Sequence, residues 1–251
     1  MFSNSQGSGL TQGLTQSLAR AFGRRGFTLI ELLVVIGVIS VIISITLPAL
    51  AASRETARRV KCLANLKGIG VGIELYLNDY KRVFPYVLPF TDDASSENDK
   101  SLLDLIGNYV DAGKPVKQAD GLYTAADPWI CPSDRSSDDE KSNYGPAWRT
   151  FGTSFEFVPG EMMLLIEMAT GLKETARGVS KAYESSDFPV LRDIDNWHTT
   201  RAKANVSSSD NFKNALYYRD WRADLLKEPT QDQLNEMIRQ VLKYYGIPVP
   251  G

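Results

Sequence analysis

His198, the lone histidine, and the two cysteines, Cys62 and Cys131, are the side chains best suited to covalent or metal chemistry. A hydrolytic triad would need His198 beside a nucleophilic Ser or Cys and an orienting acid. Serines are plentiful, but no Gly-x-Ser-x-Gly elbow occurs in the chain. One histidine cannot make a two-histidine zinc site, and two cysteines cannot make a four-cysteine one. The cysteine pair permits one bridge, and two buried thiols are the plainer alternative. Asp193, Asp195 and Asp210, with Asp187 nearby, could offer oxygen ligands to Ca2+, which takes about six to eight of them. Their spacing fits no recognised calcium loop, so a solvated acidic face competes with that reading. A last candidate is Glu31, a carboxylate at the edge of an apolar run. On insertion scales such a group costs about 2.5–3.5 kcal/mol at mid-membrane, which makes it a functional candidate by default.

The elements around Glu31 dominate the sequence. Leu32 to Leu47 is a run of sixteen residues without a charge. Counted from Phe27, a helix through Leu47 would span about 32 Å at about 1.5 Å per residue, close to a bilayer core. A buried core helix is seldom apolar on every face. A cleaved secretory signal would have a shorter apolar region, although Ala49, Ala51 and Ala52 offer small residues beyond Pro48. The averages of the 251-residue chain conceal this segment: 43% hydrophobic and 23% charged residues describe an ordinary globular protein. A net charge of −2 gives no reason to expect nucleic acid as a partner.

Arg24-Arg25-Gly26-Phe27-Thr28-Leu29-Ile30-Glu31-Leu32-Leu33-Val34-Val35-Ile36 resembles the cleavage and methylation motif of type IV pilins and pseudopilins. The resemblance implies that a prepilin peptidase and methyltransferase cuts after Gly26 and N-methylates Phe27. It implies an assembly role for Glu31, pairing with the amino terminus of a neighbouring Phe27, and makes Pro48 a helix-loosening kink. The leader would stay cytoplasmic. Loss of Met1 to Gly26 would remove three arginines and no acid, leaving a more acidic mature chain. A charge count alone argues the other way, because Arg54, Arg58, Arg59, Lys61 and Lys67 follow the apolar run. The cleavage motif is the more specific signal and sets the expected orientation.

Further segments resemble the G-like pseudopilins that carry a C-terminal H-x9-DG domain. These are Cys62-Leu63-Ala64-Asn65-Leu66-Lys67-Gly68-Ile69-Gly70 with Tyr76, Asp79, Tyr80 and Phe84-Pro85; Trp129-Ile130-Cys131-Pro132-Ser133-Asp134 with Asn143-Tyr144; and Pro159-Gly160 through Glu167. The terminal signature departs from the pattern. Eleven residues separate His198 from Asp210 where the group has nine, and Asn211 replaces the glycine. Members of this family often carry both cysteines, and some related pseudopilins bind Ca2+ in the C-terminal part of the head.

The expected fold is α+β: a long N-terminal transmembrane-plus-amphipathic helix packed on a small antiparallel-sheet head. Residues 1–26 form the leader and 27–80 the helix, with 27–47 in lipid and 48–80 amphipathic. Residues 81–222 form the head and 223–251 a helical tail. Leu50, Ala57, Val60, Leu63, Leu66, Ile69, Ile73 and Leu77 recur at helical steps. Gly68, Gly70 and Gly72 each cost that helix about 1 kcal/mol, so they mark close packing of the head. Strands are expected over Phe151–Val158, Met162–Met168, Phe188–Leu191 and Ala215–Tyr218, a short helix over Leu102–Tyr109, and a polar loop over Asp92–Lys100. Thr230 and Gln233 form a capping box for the tail helix.

Function follows from the resemblance: a structural prepilin-like subunit, not an enzyme, that assembles into a type II secretion pseudopilus or related type IV filament. Its partners would be other pseudopilins, an inner-membrane assembly platform and lipid. It would cross the bacterial inner membrane once, with the head periplasmic or filament-associated. The alternatives are an adhesive or DNA-uptake pilus subunit and a membrane-tethered periplasmic binding module.

Overall fold

Helix α1, Leu29–Asp79, carries the chain from the apolar segment into the folded region in a computed structural model that describes residues 27–87, 101–135, 145–198 and 213–248. Two compact units divide between Ala49 and Leu50. The leader with Gly26, the Asp92–Lys100 segment, Asn143-Tyr144, and Asp210 with Asn211 lie outside the described residues.

In the first unit the helix begins with a device set by two residues, Thr28 and Glu31. Thr28 Oγ1 accepts from the Glu31 backbone N–H (3.2 Å), while Glu31 Oε2 accepts from the Thr28 N–H (2.9 Å) and hydroxyl (2.8 Å). Reciprocal bonds of this kind satisfy donors that a helix start leaves orphaned. Every side chain from Phe27 to Ala49 is exposed, and the apolar window has a mean hydropathy of 2.7 with none of it buried. Among the described residues α1 is the one helix long and apolar enough to cross a membrane. Its hydroxyls do not interrupt it, because Ser40, Ser44 and Thr46 donate back to the carbonyls of Ile36, Val41 and Ile43. Pro48 lies inside α1 and withholds one backbone donor from it.

In the second unit α1 turns one stripe inward: Cys62, Asn65, Leu66, Ile69, Ile73, Tyr76 and Leu77, at steps of three and four. The core wraps this stripe. A Cβ on Gly70 would stand 2.5 Å from Leu216 Cδ2, and one on Gly72 would stand 2.5 Å from Val110 Cγ2, so both glycines permit the close approach expected of them. Helix α2, Leu102–Ile106, starts from a Ser101–Asp104 capping box. Strands β1, Val116–Lys117, and β2, Tyr123–Thr124, form a short antiparallel pair, followed by helix α3, Ala147–Phe151.

The main sheet is antiparallel, in the order β3 (Phe155–Phe157), β4 (Pro189–Asp193), β5 (Asn214–Tyr217), β6 (Ala223–Leu225). The α+β class read from the sequence is the observed one. Phe151–Val158, expected as one strand, is a strand only over Phe155–Phe157, and Ala223–Leu225 pairs with β5 in this sheet rather than belonging to a helical tail. Met162–Met168 lies not in a strand but in helix α4, Val158–Thr170. A short apolar run does not distinguish strand from helix. Here Pro159 in the first turn, the helix formers Glu161, Met162, Met163, Leu164 and Leu165, and Gly171 in the left-handed region (φ 70°) select the helix. Helix α5, Ala176–Glu184, leads to β4, and the tail forms helix α6, Gln231–Tyr244, capped by Thr230 and Gln233. Helix α6 docks on α5 through Val241 and Tyr245, which crowd Gly178.

Candidate functional site

Two constellations carry the chemistry. At the N-terminal motif Phe27 is exposed and Glu31 faces Thr28, its own helix start. The sequence reading missed that capping role, although Thr28-x-x-Glu31 followed by an apolar run is its signature.

The second constellation brings together four residues far apart in the chain. The ligand-type atoms of Cys62, Cys131, Asp193 and His198 all lie within 4.8 Å of one another. Cys62, Cys131 and Asp193 are 0% exposed and His198 is 6% exposed. The cysteines are free thiols. Cys62 Sγ donates to Asp193 Oδ1 at 3.4 Å, Cys131 Sγ meets His198 Nε2 at 3.4 Å, and His198 Nε2 lies 3.3 Å from Asp193 Oδ2.

Each member is fixed by its element. Cys62 belongs to the inward stripe of α1, and Asp193 ends β4, where its Oδ2 accepts the Asn214 N–H at 2.6 Å. Arg59 Nε in turn donates to Asn214 Oδ1. The Cys131 N–H donates to Ser154 Oγ (2.9 Å), whose hydroxyl donates to Asp134 Oδ2 (2.7 Å). Asp134 also receives the N–H groups of Ala147 and Trp148, capping α3 from outside. Ser133 donates to Glu55 Oε1 (3.0 Å), and the same oxygen lies 3.5 Å from His198 Nδ1. The Cys-Pro-Ser-Asp segment thus supplies a cluster member, a support for Glu55 and a helix cap.

Burial disfavours the thiolate at Cys131, but its hydrogen bonds to Cys62 and His198 outweigh that and bring the thiol down to about 7. Burial, Cys131 and Asp193 together push the Cys62 thiol far up. Burial opposes charge on His198, yet Asp193 and Cys131 hold its pKa up to about 10. As it stands, the cluster keeps one proton on Cys62 and leans toward a thiolate–imidazolium pair at Cys131 and His198. Two cysteines, one imidazole and one carboxylate could hold a metal ion.

Sequence reasoning singled out every member of this cluster but did not join them, because only the fold makes residues of α1, a loop and the end of β4 neighbours. Of the aspartates considered for Ca2+, Asp193 faces the thiols, Asp195 is exposed and accepts from the Asn196 N–H, and Asp187 pairs with Arg222 at 2.6 Å. Three of the five basic residues after the apolar run have partners in the second unit: Arg58 with Glu55, Arg59 with Asn214 and Lys61 with Asp127.

A family model described as the prokaryotic N-terminal methylation motif matches residues 22–47. No curated protein and no solved structure matches the chain. The motif match supports a type IV pilin-like prepilin subunit, membrane-anchored and structural in kind. It implies processing by a prepilin peptidase and assembly with other pilin subunits.

Proposed function

We propose that the chain is a structural prepilin-like subunit, cut between Gly26 and Phe27, N-methylated on Phe27, and assembled into a type II secretion pseudopilus or a related type IV filament. The observation that carries this reading is the match over residues 22–47, whose part from Leu29 onward lies on a helix with its apolar side chains exposed all round and an acid near its start. The leader stays cytoplasmic and the head stands on the opposite side of the inner membrane, delivered to the filament by an assembly platform. The Cys-Pro-Ser-Asp segment and His198, meeting at one cluster, favour the G-like group with a C-terminal H-x9-DG segment. Pro48 is the loosened point of the helix.

In a filament the Glu31 carboxylate exchanges its Thr28 contacts for the methylated amine of a neighbouring Phe27. Removing one partner of such a pair leaves an uncompensated charge in a low-dielectric site. Gly26→Leu is expected to leave the chain unprocessed on a gel. Glu31→Leu is expected to insert and be processed normally but to be lost from sheared or cross-linked filaments. Normal processing of the first variant, or full incorporation of the second, contradicts the reading.

A further inference from the structure

We propose that Cys62, Cys131, Asp193 and His198 form a structural zinc site that ties α1 to the main sheet of the head. The donor set suits that ion. Zinc is bound by thiolate sulfur, imidazole nitrogen and carboxylate oxygen, four at a time and tetrahedrally in closed sites. Soft thiolates disfavour Ca2+ and Mg2+, which take oxygen ligands.

The spacing suits it too. Bond lengths of about 2.3 Å to sulfur and about 2.0–2.2 Å to nitrogen and oxygen give a tetrahedron with edges of about 3.4–3.8 Å. Cys131 Sγ–His198 Nε2 (3.4 Å) and His198 Nε2–Asp193 Oδ2 (3.3 Å) approach those values, Cys62 Sγ lies 3.4 Å from the other Asp193 oxygen, Oδ1, and one ligand atom from each residue falls within 4.8 Å of the rest. All four groups are more than nine-tenths buried, leaving no open coordination position toward solvent, as in a structural centre.

The surrounding shell completes the argument. His198 Nδ1 is buried without a hydrogen-bond partner, and the nearest carboxylate oxygen, Glu55 Oε1, stands 3.5 Å away. Metal-binding imidazoles characteristically donate their second N–H to a carboxylate, which fixes the tautomer. With Nε2 on the ion, the proton belongs on Nδ1, and a small shift of the ring closes that bond. Asp193 is held by the Asn214 N–H and the Cys131 backbone by Ser154. On binding, Cys62 releases its thiol proton and the Cys131–His198 pair releases the proton between them, two protons going to solvent, and two thiolates with one carboxylate outweigh the ion's two positive charges by one. No electron is transferred.

The test uses the full-length chain in detergent, purified with reductant and without added chelator. Elemental analysis is expected to find one zinc per chain. Replacement by Co2+ is expected to give thiolate-to-cobalt charge transfer in the near ultraviolet and the strong visible bands of tetrahedral cobalt. Glu55→Gln is expected to weaken Co2+ binding about 10–100-fold while keeping the tetrahedral spectrum. Asp195→Asn, at an exposed neighbour, is expected to change nothing. Cys62→Ser and Cys131→Ser are expected to abolish the charge-transfer band. The wild-type measurement stands even where a variant fails to fold. A reduced wild-type chain that retains no zinc and gives only octahedral, thiolate-free cobalt spectra overturns the proposal. So does a chain isolated without reductant in which a Cys62–Cys131 disulfide has replaced the metal.

Discussion

Gly72→Ala tests whether α1 is an internal strut of the head. An added Cβ would lie 2.5 Å from Val110 Cγ2, 3.3 Å from the Val110 nitrogen and 3.4 Å from the Tyr109 carbonyl carbon. Val110 is buried, and a β-branched side chain has little rotamer freedom with which to retreat. The segment after α2 must therefore move. Overpacking of this kind costs about 1–3 kcal/mol. Replacing a helical glycine by alanine returns about 1 kcal/mol. The net is a destabilisation of about 0–2 kcal/mol, against a gain of about 1 kcal/mol for an unpacked helical glycine. In a domain of about 150–250 residues each kcal/mol moves Tm by about 2–4 °C.

The four tryptophans, Trp129, Trp148, Trp197 and Trp221, all lie in the second unit, so intrinsic fluorescence during thermal unfolding of the detergent-solubilised chain reads that unit. Gly113→Ala, with nothing within 4 Å of its added Cβ, is the control and is expected to be close to neutral. A Tm that rises by several degrees in Gly72→Ala refutes the packing argument.

Two other perturbations probe the charge design of the head. Arg192 of β4 joins Glu156 of β3 (2.7 Å) and Glu161 of α4 (2.8 Å), and Glu156 is 4% exposed. Arg192→Met leaves that carboxylate uncompensated and is expected to cost about 3–5 kcal/mol in denaturant melts. Adding Glu156→Gln should recover part of the loss, and no recovery would mean that the charge is not the cause. The Lys61 ammonium, at 2.8 Å, together with Asn65, holds the Asp127 carboxyl below its usual range. A depressed carboxylate contributes stability above its unfolded pKa, near 4, and loses it as pH falls through the lower folded value. Both side chains are about half exposed, so the contribution is at most about 1 kcal/mol. Asp127→Asn should therefore lower stability near neutral pH and leave it unchanged at strongly acid pH. An equal deficit at both ends of the range would assign the effect to packing.

The N-terminal helix, the close-packed glycines and the capped tail were legible because each rests on a local pattern. Helical periodicity, Gly68-x-Gly70-x-Gly72, and Thr230 three residues before Gln233 need no knowledge of the rest of the chain. Helix α4 differs from the expected strand because Met162 to Met168 is apolar in a way that serves either structure, and the helix formers between Pro159 and Gly171, with those two residues at its ends, decide it. The buried cluster could not be assembled from the sequence. Cys62 falls inside the helix expected over 27–80 and Asp193 just after an expected strand, but their meeting depends on sheet register and on the loop carrying Cys131. Weighing cysteines against cysteines and aspartates against aspartates hid a site that mixes the two. Thr28 and Glu31 show a different limit. Reading Glu31 as an assembly residue drew attention from the cap it makes within its own chain.

In the proposed maturation Phe27 begins the mature protein. The most direct measurement is mass spectrometry of the N-terminal peptide from chain isolated from membranes of cells that contain a prepilin peptidase. A peptide starting at Phe27 and carrying one methyl group on its amine is expected, with the unprocessed form accumulating when the peptidase is absent. A mature N-terminus beyond Pro48, or an intact leader in peptidase-containing cells, would contradict it.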